Sequence, residues 1–299
     1  MNTVCVMMST YNGEKYLEEQ IDSILNQQFV EIYLFVRDDG SSDGTKGILI
    51  EYAEKGRLQW YAGDNLGPAY SFFDLINNVE GKYDYYAFAD QDDYWYPEKM
   101  SRAVCLLNAE KSLNKVYHSR VDVVNERLEK TGLIFGAEKQ YNFVTELLRN
   151  NAVGCTFVMS NRLIELIRLN KPQYVCMHDQ WIMLVCLGTG GVALLDEHTT
   201  MKYRQHGNNS VGVKNRLFQK IKNSTLNWKA STHSRMLQAK ELFAGYEDVL
   251  RDENLEKLNM IIGSGENWKK GVKCMFFDFN SEKWYLNLLC RFAILGKRV

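Results

Sequence analysis

The sequence lacks the marks of several common protein classes. No apolar run is long enough to cross a bilayer: the longest, Ile182 to Leu195, has 14 residues and is interrupted by Gly188, Gly190 and Gly191. The opening Met1-Asn2-Thr3-Val4 has neither the basic start nor the apolar core of a signal peptide. Seven cysteines are scattered without C-x-x-C spacing, which argues for reduced thiols in a cytoplasmic chain rather than a disulfide frame or a zinc site. Neither G-x-G-x-x-G nor G-x-x-x-x-G-K-[ST] occurs, which argues against a dinucleotide dehydrogenase and a P-loop enzyme. There is no internal repeat, low-complexity tract or heptad array.

What is present is an ordinary globular composition, 45% hydrophobic and 24% charged, over 299 residues. The net charge of -1 hides an asymmetry. Residues 207–299 carry 16 Lys and Arg against 9 Asp and Glu, and residues 1–206 carry 20 against 28. An acidic body with a basic tail suggests a metal-using part and a tail that meets something anionic, or one that docks on the acidic body.

The pattern along residues 1–90 repeats strand, loop and helix. Val4–Met8 and Tyr33–Val36 read as short buried strands, Leu58–Tyr61 as a third. Leu17, Ile21, Ile24 and Leu25 share one face of a helix over 14–28 for which Asn12 is a candidate cap. This alternation predicts parallel crossovers and a mostly parallel sheet between helices. The aromatic run Tyr85 to Ala89 then ends abruptly in Asp90-Gln91-Asp92-Asp93. Pro97 suits the first turn of the helix that follows. Val116–Val124, Phe157–Met159, Val192–Leu195 and Thr199–Tyr203 read as further strands, with helices over Phe143–Arg149, Leu163–Leu169 and from His178 onward. Beyond Val211 the chain turns helical, basic and aromatic, and a last helix is expected to carry Tyr285, Leu288, Leu289, Phe292 and Leu295 on one face.

Three loops follow successive strands: Ser9–Gly13, Asp38–Thr45 and Asp90–Asp93. On a doubly wound sheet they converge at one edge. Carboxylates gathered there repel each other unless something positive joins them, and a hard divalent cation shared with substrate phosphates is the natural partner.

These residues resemble a family 2 glycosyltransferase of the GT-A fold. The resemblance rests on Ser9-Thr10-Tyr11-Asn12-Gly13, Arg37-Asp38-Asp39-Gly40-Ser41-Ser42-Asp43-Gly44-Thr45, Asn65-Leu66-Gly67 and the D-x-D element Asp90-Gln91-Asp92-Asp93. It covers about residues 1–206, and 207–299 is read as a basic helical extension. Within the family, Asn150–Thr156, His178-Asp179-Gln180-Trp181 and Tyr203-Arg204-Gln205-His206-Gly207-Asn208 look most like bacterial rhamnosyltransferases of polysaccharide synthesis. The fold implied is α/β, a mixed and mostly parallel Rossmann-like sheet flanked by helices.

The activity implied is metal-dependent, inverting transfer of a sugar from a nucleoside diphosphate donor, dTDP-rhamnose or a UDP-hexose, to a glycan or lipid-linked acceptor. By the same resemblance Thr10, Tyr11, Asn12, Glu14, Asp38, Asp39, Asn65, Gly67 and Asp90 contact the nucleotide. Asp92 and His206 hold Mn²⁺ or Mg²⁺, and Asp179 is the catalytic base. Asp93, Gly154, Cys155, His178 and Trp181 line the acceptor or sugar site. Two departures stand out: His178 replaces the usual Glu before the base, and Gln91 a small residue. No nucleic-acid partner is implied. The extension implies peripheral contact with the inner face of the cell membrane. Two other readings remain open: a nucleotidyltransferase making nucleotide sugars, although Ser9–Gly13 lacks the Lys or Arg of its phosphate loop, and a non-catalytic carbohydrate-binding protein.

Overall fold

The computed structural model describes residues 1–135, 141–150, 153–207, 227–265 and 267–279, together with Asn287 and Arg291. The first half follows the predicted alternation: β1 Thr3–Thr10, α1 Leu17–Leu25, β2 Glu31–Asp38, α2 Thr45–Glu54, β3 Gln59–Ala62, α3 Gly67–Asn78 and β4 Tyr85–Ala89. Then come β5 Tyr94–Trp95, α4 Lys99–Ala109, β6 Lys115–Val124 and the antiparallel β7 Lys130–Phe135. After α5 Phe143–Leu148, a single 3₁₀ turn at Gly154–Thr156 leads to β8 Val158–Ser160, α6 Asn161–Ile167, α7 His178–Gly188 and β9 Val192–Arg204. Three further helices follow: α8 Asn227–Tyr246, α9 Asp252–Ser264 and α10 Trp268–Cys274.

The strands form one sheet in the order β3-β2-β1-β4-β8-β6-β9-β5, with β7 on β6. The block β3-β2-β1-β4 is parallel, as the crossovers require. β8 runs antiparallel between β4 and β6, and β6 and β9 are parallel. This is the mixed, mostly parallel sheet expected.

Successive side chains alternate between the two faces. In β1, Val4, Val6 and Met8 pack into one core with α1 and α4, while Cys5 and Met7 pack into the other with α3 and α7. The second core also takes Ala239, Leu242, Tyr246, Leu258, Ile261, Cys274 and Phe279 from the C-terminal helices and their flank. Helices α8 to α10 thus share one apolar core with the sheet. Polar contacts reinforce it: Gln238 Oε1 accepts from the Cys176 N–H at 2.7 Å, and the Tyr246 hydroxyl donates to the Ile167 carbonyl at 3.2 Å.

Several local expectations are corrected. Helix α1 begins at Leu17 with Tyr16 at its cap; Asn12 instead adopts a left-handed backbone, φ 48°, and its side-chain oxygen accepts from the Ser42 N–H at 2.9 Å. Pro97 precedes the Glu98 cap of α4. The segments Val192–Leu195 and Thr199–Tyr203 are one strand, whose pairing with β6 shifts register around Ser119 to Asp122. The two-residue β5 and the edge strand β7 were not expected. The proposed last helix lies outside the described residues, except Asn287 and Arg291.

Candidate active site

The carboxyl ends of the central strands are level: Thr10 pairs with Asp38, and Met8 with Ala89. The loops that leave them border a cleft of about 1040 Å³. Asp90, Asp92, Asp179 and His206 line it together, although they come from three distant parts of the chain.

The β1 and β4 loops are clamped to each other. Gln91 Oε1 accepts from the Tyr11 N–H at 2.8 Å, and Nε2 donates to the Tyr11 carbonyl at 3.0 Å. A Cβ on Gly13 would stand 2.3 Å from Gln91 Oε1, so glycine is required for the clamp to close. Gln91, which replaces the usual small residue, is therefore a staple between two loops.

Asp38 and Asp39 are neighbours with different positions. Asp38 is fully buried; it accepts from the Ser41 N–H at 3.0 Å and from Thr10 Oγ1 at 3.4 Å, and neither Asp38 nor Thr10 lines the cleft. Asp39 does line it. Its two oxygens accept from the N–H groups of Leu66 and Gly67, each at 2.9 Å, and the Arg37 guanidinium closes on the same carboxylate. Arg37, itself buried, also donates to Asp74 Oδ2 at 2.8 Å and to the Asp64 carbonyl at 2.9 Å. Together these bonds fix Asn65-Leu66-Gly67 at the cleft rim. Tyr11, Asn12, Asn65 and Gly67 line the cleft, whereas Glu14 points away to accept from the Gly44 N–H at 2.6 Å.

The acidic loop is split by depth. Asp92 Oδ2 lies 2.6 Å from His206 Nε2, in the cleft. Asp93 is fully buried beneath it: one oxygen accepts from the Arg204 N–H at 3.1 Å and the other has no hydrogen-bond partner among the described residues. One carboxylate oxygen each from Asp90 and Asp93 and the Cys155 sulfur lie within 4.8 Å of one another. Burial, with Asp92 and Asp179 nearby, pushes the Asp90 carboxyl up to about 7. Burial, then Asp92 and Asp90, push Asp93 well above the carboxylate range, and burial, then Asp93 and Asp90, push the Cys155 thiol up too. A protonated, buried thiol is packing, not a nucleophile. Arg204 holds this floor in place: Nε donates to the Asp92 carbonyl at 2.8 Å, and its guanidinium reaches Glu19 and lies 4.4 Å from the Tyr16 ring centroid.

Asp179 sits in the first turn of α7, where a carboxylate is favoured by the helix N-terminus. Its Oδ1 accepts from Asn150 Nδ2 and from the Gln180 N–H, both at 2.7 Å. A Cβ on Gly154 would come within 2.9 Å of His178 Nε2 and 3.0 Å of Asp179 Cβ, so the turn at Gly154 passes close because it is bare. His178 is stacked on Phe72, 4.3 Å between ring centroids, and burial pulls its pKa down while Asp179 opposes that weakly. Trp181, expected at the sugar site, is core: fully buried, off the cleft and edge-on to Tyr246 at 6.0 Å. Asp93 and Trp181 thus leave the acceptor set, while Gly154, Cys155 and His178 line the cleft.

Lys15, Tyr16, Phe72 and Glu126 also line the cleft and carry no sequence motif.

Residues 5–167 match the family described as Glycosyl transferase family 2. The chain is 34% identical to the dTDP-rhamnosyl transferase RfbG of Shigella flexneri over 225 residues, 69% of this chain and 74% of that protein. It is 24% identical over 196 residues to the UDP-Glc:alpha-D-GlcNAc-diphosphoundecaprenol beta-1,3-glucosyltransferase WfgD of Escherichia coli, 64% of this chain and 73% of that one. Among solved structures it is similar to residues 1–349 of S. aureus TarS in complex with UDP-GlcNAc, with a TM-score of 0.62 and 16% identity over 98% of this chain and 81% of that one. The GT-A fold is thereby shown.

Proposed function

The chain belongs to glycosyl transferase family 2, and from that premise we propose that it transfers rhamnose, or in second place a hexose, with inversion, from a nucleoside diphosphate donor to a glycan or lipid-linked acceptor. The observation that carries this is the gathering of Asp90, Asp92, Asp179 and His206 in one cleft bordered by the β1, β2 and β4 loops.

In this reading the rim residues Tyr11, Asn12, Asp39, Asn65 and Gly67 hold the nucleoside. Asp92 and His206, already paired at 2.6 Å, hold Mn²⁺ or Mg²⁺. The donor set fits such an ion: one carboxylate and one imidazole leave positions for diphosphate oxygens. A divalent cation bound there would neutralise charge on the departing diphosphate. Asp179 takes the proton of the acceptor hydroxyl. The hydrogen bonds from Asn150 and the Gln180 N–H aim its carboxylate. The dTDP-rhamnose preference is supported by the name of the Shigella relative, and a lipid-linked acceptor by that of the E. coli one.

We further propose a peripheral membrane contact at α10 and the residues just after it. Trp268 and Phe276 are 68% and 82% exposed, and Lys269, Lys270 and Lys273, also exposed, lie between them in sequence. Aromatic rings with lysines suit an anionic lipid interface. No helix among the described residues is long and apolar enough to cross a membrane. Since α8 to α10 share the main core, removal of the tail would unfold more than the contact. Flotation on anionic vesicles should therefore compare the full chain with Trp268→Ala/Phe276→Ser, and equal flotation removes this surface.

Calorimetry with dTDP and UDP, with and without Mn²⁺, tests the core of the reading. Metal-dependent binding of one of them is expected, and Asp92→Ala should abolish the metal dependence. Undiminished Mn²⁺ dependence in that variant would take the metal away from Asp92. Donor hydrolysis across nucleotide sugars then ranks rhamnose against hexose.

A further inference from the structure

The cleft is short of positive charge. Five carboxylates line it, from Asp39, Asp90, Asp92, Glu126 and Asp179, and Lys15 is the one lysine or arginine among the described lining residues. A nucleoside diphosphate adds negative charge to this set, and more develops as the sugar leaves. In the structure the Lys15 amine is engaged elsewhere: it donates to Glu126 Oε2 at 2.6 Å. It also lies 4.8 Å from the Tyr16 ring centroid, and that ring lies 5.2 Å from the ring of His206. The ion pair is thus one aromatic ring away from the Asp92–His206 pair.

The two ends of the pair differ in freedom. Glu126 stands in the β6–β7 turn, where its carbonyl accepts from the Arg204 guanidinium. Lys15 follows the loop that Gln91 clamps, so its backbone is anchored while its flexible stem is 65% exposed. The Glu126 side chain is 51% exposed. Ion pairs so open to water are weakly held. Exchange of the Glu126 carboxylate for a diphosphate oxygen costs little and moves the lysine toward stronger negative charge.

We propose that Lys15 is a specificity-determining contact for the donor's diphosphate, occupied by Glu126 until the donor arrives. The inference rests on the cleft being a nucleotide-sugar site. Glu126 then acts as a competitor within the chain: it keeps an unliganded lysine paired and weakens capture of ligands that bring too little charge to displace it.

Calorimetry of the full chain with Mn²⁺ tests this, using dTDP, dTMP and thymidine, with the uridine series in parallel. Lys15→Met should weaken the diphosphate about tenfold, the loss of one charge-assisted hydrogen bond, and leave the nucleoside unchanged. Lys15→Arg should restore most of the diphosphate affinity. Glu126→Gln should tighten diphosphate binding a few-fold without changing nucleoside binding. Equal loss for diphosphate, monophosphate and nucleoside in Lys15→Met, or no loss at all, overturns the inference alone. An unchanged Glu126→Gln overturns the competition. If the unmodified chain binds no nucleotide of either series, the nucleotide-sugar reading fails and this inference with it.

Discussion

Asp196 and Asp93 are both buried carboxylates, and their surroundings are opposites. Asp196 receives Arg102 on both oxygens, Nε and Nη2 at 3.0 Å each, with the Tyr117 hydroxyl at 3.1 Å and the His198 N–H at 3.0 Å. Burial works to raise its carboxyl, but Arg102 and His198 outweigh that and hold it below the ordinary range. Asp93 receives one backbone N–H, has a bare second oxygen, and stands beside Asp90 and Asp92. A carboxylate that serves the fold alone comes with its own cation. Asp90 and Asp93 make no such ion pair among the described residues, and burial beside other acids raises both carboxyls. Lys99 supplies one buried amine beside them: its Nζ lies 3.5 Å from the Cys155 carbonyl, and burial draws it down to about 8 while Cys155 and Asp93 work to raise it.

The largest effect expected from this contrast is at Asp179. Asp179→Asn keeps the shape of the side chain and its place at the start of α7 but removes the basic oxygen. Sugar transfer should fall by about two to four orders of magnitude while Mn²⁺-dependent nucleotide binding persists. Transfer at near the original rate would make Asp179 a helix-end acid, and the base would then be sought among His178 and its neighbours in the cleft.

That Asp179 could be singled out at all reflects how the sequence encodes this site. The three loops are legible because each follows a short apolar strand, and parallel pairing brings such ends level whatever lies between. Depth within a loop is not legible. Asp38 and Asp39 look alike in sequence, yet one closes on Ser41 and Thr10 while the other faces the cleft. Asp92 and Asp93 divide in the same way. The resemblance of the H-D-x-W element puts Trp181 at the sugar site, but α7 is buried nearly all round, so its sequence carries no periodicity to show which side meets the cleft. The strand β9 reads as two because Asp196, Glu197 and His198 interrupt its apolar pattern; Arg102, from another helix, accounts for the aspartate. Pairs such as Lys15 with Glu126, or Asn150 with Asp179, join distant positions and leave no local mark.

A smaller effect, on stability, should follow from taking the cation away from Asp196. Arg102→Met leaves a buried carboxylate with the tyrosine and the backbone alone. The Arg102 side chain is about a third exposed, 36%, so solvent screens part of the pair and a loss of about 2 kcal/mol is expected. The sign with pH follows from the lowered pKa of Asp196. Its contribution is complete above the unfolded carboxyl's value and fades as acid titrates the folded one. Chemical denaturation at pH 7 and at pH 3 should therefore show a gap between variant and unmodified chain that narrows in acid. A gap that stays constant would assign the loss to packing of the arginine stem.

The smallest effect, and opposite in sign, is expected at Asp90. Its carboxyl is raised to about 7 by burial first and then by Asp92 and Asp179. An unfolded aspartate releases its proton near 4. Between these values the unfolded chain is ionised while the folded one still holds the proton, so stability falls as pH rises from about 4 to 7, and the penalty is complete above that. Asp90→Asn removes the charge and the penalty together. At pH 8 without metal the variant should be more stable than the unmodified chain by about 1 to 2 kcal/mol, a discounted value because Asp90 retains some contact with solvent. At pH 4 the two should coincide. Added Mn²⁺ should stabilise the unmodified chain at pH 8 more than the variant, since the charge that weakens the empty cleft is the charge that draws the ion. Melting curves at both pH values, with and without Mn²⁺, would decide. If Asp90→Asn melts no higher at pH 8 than the unmodified chain, the cleft acids carry no electrostatic strain, and the contrast with Asp196 loses its energetic meaning.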